Sequence, residues 1–107
     1  GGIYMLFKLY LSFITKKNGG ASINKQYNSP KRGYMVAVKN FENMADMLAN
    51  KLEHNQYYGT WLDVEDNNKL YCDISTNIID YKEAVDLAKK RGELAIYDVE
   101  QQCSIYV

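Results

Sequence analysis

The sequence predicts a small single α+β domain over residues 1–107, an antiparallel or mixed sheet with about three helices packed on one face. Three observations predict it. A chain of 107 residues has room for one hydrophobic core and buries about two-thirds of its unfolded surface. Apolar residues recur at helical spacing in three stretches, and shorter apolar or alternating runs lie between Gly, Asn and Asp punctuation. Read in order, these segments give α-β-β-α-β-β-α-β-β.

The first helix is expected over residues 4–17. Leu6, Leu9, Tyr10, Phe13 and Ile14 fall at the i, i+3, i+4, i+7, i+8 spacing of one face, which should be its core side. Lys16 and Lys17 occupy the last turn, and Asn18-Gly19-Gly20 supplies a C-cap. The apolar opening, residues 3–14, is about twelve residues long, carries Lys8 and lacks a small-residue cleavage site, so it is too short for a membrane span. It reads as a core element of a protein in the cytoplasm of a bacterial host, with no membrane partner. Residues 1–4 read as tag-derived, with Met5 as a native start.

Residues 21–25 read as a short strand, 28–33 as a turn and Tyr34–Lys39 as a strand. Asn40 is placed to cap a second helix whose stripe is Phe41, Met44, Ala45, Leu48, Ala49 and Leu52, ending near His54. Residues 57–64 and 70–78 form a hairpin about the polar turn 65–69. Asp80 and Glu83 start a third helix like a capping box, Tyr81, Ala84, Val85 and Ala88 give its apolar face, and Gly92 closes it. Strands over 94–99 and 103–107 flank a turn at 100–102. Asp63-Val64-Glu65 recurs as Asp98-Val99-Glu100 after the next helix, which duplication of a helix-plus-hairpin unit or chance, both units obeying the same helix and strand rules, would explain equally.

Composition bounds the chemistry. Ten tyrosines stand against three Phe and one Trp, and tyrosine suits half-exposed strands and interfaces. A tyrosine-rich face also leaves a homodimer open. The net charge of zero hides an asymmetry. Residues 1–40 hold seven bases and no acid, whereas residues 41–107 hold all thirteen acids against six bases. Either the halves neutralise each other or they face different partners.

No catalytic, metal or cofactor site is expected. The single histidine, His54, falls where a helix C-terminal cation is stabilising, without a nucleophile beside it. Cys72 and Cys103 lie far apart without CxxC spacing and read as buried reduced thiols. The acidic turn 63–68 lacks the central Gly and closing Glu of a calcium loop, and no glycine pattern opens a helix after a strand.

Two binding surfaces remain. Tyr57, Tyr58, Trp61 and Tyr71 on the hairpin are candidate protein-binding anchors, and Asp63, Glu65, Asp66 and Asp73 would set electrostatic register. Trp61 is equally a candidate for the largest core side chain, and the exposure of its indole decides between the two. The alternative is nucleic-acid binding through the basic segment 16–39, with Lys25, Lys31, Arg32 and Lys39 toward phosphates beside Tyr27 and Tyr34.

The runs Asn18-Gly19-Gly20-Ala21-Ser22-Ile23, Gly33-Tyr34-Met35-Val36-Ala37-Val38, Gly59-Thr60-Trp61-Leu62-Asp63, Leu70-Tyr71-Cys72-Asp73-Ile74-Ser75 and Ala95-Ile96-Tyr97-Asp98 resemble small proteins of phages and integrated mobile elements. The resemblance implies a counter-defence accessory protein, in the manner of anti-CRISPR inhibitors, whose partner is a host defence protein; it carries over no catalytic residue. Gly59-Thr60-Trp61-Leu62-Asp63 also resembles a run in DNA-mimicking anti-restriction proteins, from whose acidic character the basic first forty residues depart.

Overall fold

A computed structural model describes residues 2–107. Gly1, where the tag reading begins, lies outside the described residues. The elements follow the expected order: α1 (Gly2–Asn18), β1 (Gly20–Ile23), β2 (Tyr34–Phe41), α2 (Met44–Leu48), β3 (Gln56–Asp63), β4 (Lys69–Ile78), α3 (Tyr81–Arg91), β5 (Ala95–Asp98) and β6 (Cys103–Tyr106). The strands make one curled sheet in the order β1-β3-β4-β2-β5-β6, with every neighbouring pair antiparallel. β3–β4 and β5–β6 are the two hairpins, and β2 joins them by pairing with β4 on one side and β5 on the other. The β2–β4 register shifts between Ala37 and Lys39. Such a bulge bends its strand and increases the local twist, which favours a curled sheet.

Two clusters form the core. In the larger, Phe7 and Leu11 of α1 and Met44, Met47 and Leu48 of α2 pack over Ile23, Tyr58, Cys72 and Ile74. In the smaller, Ala84 and Ala88 of α3 meet Val36 and Ile96. Each large apolar side chain buried in this way contributes about 1.5–3 kcal/mol. The small alanines let α3 approach its strands closely. Its ends are those the sequence predicts: Asp80 accepts from the Glu83 amide at 2.9 Å, and Gly92 takes the left-handed C-cap conformation at φ 75°.

Helix α1 lies where expected but presents a different face to the core. Phe7, Leu11 and Thr15 are buried, whereas of the expected face Leu6, Leu9, Tyr10 and Phe13 are exposed and Ile14, half-buried, packs against the core. An α1 that is apolar on nearly every side gives spacing little to choose between. A polar contact helps decide it. Thr15 Oγ1 donates to the Leu11 carbonyl at 2.7 Å and lies 2.6 Å from Thr60 Oγ1. Having spent its proton on Leu11, Thr15 accepts from Thr60, and both buried hydroxyls are satisfied against β3.

Helix α2 is shorter than its stripe suggests. Phe41 is held in β2, paired with Cys72, so the helix begins three residues later and Asn43, not Asn40, caps it by accepting from the Asp46 amide at 2.8 Å. The ladder outweighs the periodic pattern because it already uses the backbone groups of Phe41. After Leu48 the chain leaves the helix, and the Asn50 carbonyl accepts from the Tyr58 hydroxyl at 2.6 Å. Leu52 still packs on the core, but from irregular chain. His54 therefore sits in an exposed turn rather than at a helix C-terminus.

The cysteine expectation divides. Both thiols are free, Cys72 is buried, but Cys103 is exposed at the start of β6. The Asp-Val-Glu echo has a local cause. Asp63 and Asp98 each end a strand, and each Oδ1 accepts from the amide two residues on, Glu65 or Glu100, at 3.1 Å. Both tripeptides are Asx turns opening a hairpin loop.

Candidate binding surface

The β3–β4 hairpin carries four cross-strand pairs on one side: Asp63 with Lys69, Trp61 with Tyr71, Gly59 with Asp73 and Tyr57 with Ser75. The alternate residues, Tyr58, Thr60, Cys72 and Ile74, point the other way into the core. Side chains alternate along a strand, so this division follows from register alone.

Trp61 is 54% exposed and Tyr71 40%. Their ring centroids lie 5.3 Å apart at 32°, and the Lys69 ammonium stands 5.0 Å above the Tyr71 ring. The indole is thus a surface group and not the largest core side chain. Of the expected protein-binding residues, Tyr57, Trp61, Asp63, Tyr71 and Asp73 share this side. Glu65 and Asp66 lie exposed in the turn at the hairpin's end. Tyr58 does not join them: it is fully buried, packs edge-on against Phe7 at 6.0 Å and binds the Asn50 carbonyl. Burial also pushes its hydroxyl pKa up. It is a core residue.

The same side of the sheet is concave, a trough of about 1160 Å³. Small residues make its floor, among them Gly20, Ser22, Ala37, Gly59, Ser75 and Ala95. Trp61 and Tyr97 line it, and the loop carrying Pro30 and Lys31 reaches it. Asp73 stands in the trough with Ser75 Oγ donating to its Oδ1 at 2.8 Å. Burial raises the Asp73 carboxyl above the ordinary carboxylate range, the Ser75 hydrogen bond opposes this, and the Glu93 charge adds to it. Burial, and then the Asp73 charge, push the Cys72 thiol pKa up on the other side of β4.

The basic residues do not form one patch. Lys31 and Arg32 precede β2, while Lys39 lies toward its far end, about 20 Å away by strand rise. Lys39 donates to Asn50 Oδ1 at 3.1 Å and stands over Phe41. Lys25 stands 5.9 Å from the ring of the core residue Tyr58. The basic and acidic parts of the chain interleave in the sheet, since β3 and β4 separate β1 from β2. Their charges do not meet: among the described residues the one ion pair joins Lys82 to Asp86, within the acidic part.

Sequence reasoning missed Tyr97, Ser75 and the small floor residues. The available signal was period-2 placement of Gly, Ala and Ser on strands, which marks close approach of another group. Among the described residues no three His, Cys, Asp or Glu side chains gather as metal ligands, and no helix is long and apolar enough to cross a membrane. Compared with protein-family models, curated proteins and solved structures, the chain matches none.

Proposed function

We propose that this chain is a non-enzymatic protein-binding module that engages its partner through the side of the sheet carrying Trp61 and Tyr71. One observation carries the reading: a solvent-exposed tryptophan packed beside an exposed tyrosine on the β3–β4 hairpin, at the edge of a concave surface. Tryptophan and tyrosine dominate binding hot spots because each removes a large apolar area from water at low entropic cost. The reading takes the three helices as the backing of one side of the sheet, which leaves the other for the partner. The resemblance to mobile-element proteins gives the class of job, stoichiometric inhibition of a bacterial host's defence protein in the cytoplasm, as anti-CRISPR proteins do.

The test is capture of a stoichiometric complex from host lysate by the wild-type chain, repeated with Trp61→Ala/Tyr71→Ala. Loss of about 2–4 kcal/mol of binding is expected from such anchors. A complex indifferent to both changes removes this surface from the account. A salt-sensitive complex with duplex or single-stranded oligonucleotides, lost when Lys25, Lys31, Arg32 and Lys39 are neutralised, favours nucleic-acid binding instead.

A further inference from the structure

We infer that the trough is a receptor for a cationic side chain, a lysine or arginine on an extended segment of the partner, with its charged head on Asp73. The inference rests on the protein-binding reading and adds the chemistry of what is bound.

Four features point to a cation. First, Asp73 lines the trough among small residues, and its carboxylate lies against Gly59 directly opposite, which has no side chain to compete for that space. Second, the charge is unmatched. Ser75 donates one hydrogen bond to Oδ1, and no ion pair joins Asp73 to a base among the described residues. Lys31, on the loop that lines the trough, is exposed and makes no such pair. A half-buried carboxylate gains most from a cation brought to it in a site partly closed to water. Third, Glu93 adds negative field at Asp73. Fourth, Trp61 and Tyr97 line the trough and are partly exposed. Aromatic walls cover the methylene stem of lysine or arginine and attract the head through the ring face. An anionic or purely apolar ligand would leave the carboxylate buried and unpaired, which is unfavourable.

The probes are two blocked tripeptides, Ala-Arg-Ala and Ala-citrulline-Ala, equal in shape but differing by one charge. Titration of the isotope-labelled chain is followed by amide shifts at Gly20, Gly59 and Ser75 and by the indole of Trp61, the one tryptophan of the chain. The arginine peptide is expected to shift these signals at millimolar concentration, with at least ten-fold weaker binding of the citrulline peptide. Asp73→Asn, folded by the same spectrum, should bring the two peptides within about two-fold of each other, while Asp86→Asn, an equal change of charge at an exposed position of α3, leaves the preference intact. Acidification should weaken arginine binding as Asp73 takes up a proton. Equal binding of the two peptides, shifts confined to another surface, or a preference that survives Asp73→Asn overturns the inference. If the tripeptides fail while the captured complex still depends on Trp61 and Tyr71, only the cation receptor falls. If the complex ignores those rings, the surface reading falls as well.

Discussion

The carboxylate of Asp73 occupies the space that a side chain at position 59 would need: a Cβ built on Gly59 would lie 2.5 Å from Asp73 Oδ1. The two residues face each other across the β3–β4 pair. In an ordinary strand, alanine would be preferred to glycine by about 0.5–1 kcal/mol. Here Gly59→Ala displaces the carboxylate, the movable end of a side chain, from its Ser75 hydrogen bond, and in a denaturant titration the loss of that bond, about 0.5–1.5 kcal/mol, is expected to offset the gain. With Asp73→Ala already in place the gain should reappear, a non-additivity that separate causes would not produce.

Asp73 should also make stability depend on pH. Its folded-state pKa is raised, chiefly by burial, so the folded chain holds this proton more tightly than the unfolded chain. Stability therefore falls as pH rises between the unfolded and folded values, and the penalty is complete above the folded one. Asp73→Asn keeps an acceptor for Ser75 and removes the penalty. The variant should melt above wild type at pH 7, and the gap should close on acidification below the ordinary aspartate range. A gap that is constant with pH would assign the effect to packing instead.

The orientation of α1 separates two leucines two residues apart. Leu11 is fully buried and Leu9 is 62% exposed. Leu11→Ala should cost about 2–5 kcal/mol, while Leu9→Ala should stay within about 0.5 kcal/mol. The face deduced from spacing alone requires the reverse order, so one pair of urea melts decides.

The two thiols should differ in reactivity. Cys103 is exposed, whereas Cys72 is buried with its thiol pKa pushed up by that burial and by Asp73. A maleimide added to the native chain should modify Cys103 alone, and the second equivalent should enter only after denaturation. Intact-mass measurement at timed intervals reads both steps.

Element order, both hairpins and the caps of α3 were legible because each is written in local chemistry. Asp80, Gly92, and the Asx turns at Asp63 and Asp98 act within a few residues of themselves. What was not legible depended on distant partners. No local feature announces that Phe41 pairs with Cys72 and so shortens α2, or that Thr15 meets Thr60 and so rotates α1. The binding side was half legible. Trp61, Tyr71 and Asp73 stood out as residue types, but Tyr58, adjacent and chemically alike, fell on the other side because strand alternation divides neighbours. The trough arises from glycine, alanine and serine, which draw attention only once six strands are assembled.

The outer side of α1 has a consequence for handling the molecule. Leu6, Leu9 and Phe13 give water a continuous greasy strip, and Lys16 and Lys17 in its last turn are the basic residues there. Sulfate strengthens the tendency of such a strip to leave water, and also favours the compact state. The same salt will thus push the chain in two directions, raising its melting temperature while lowering the concentration at which molecules begin to cluster.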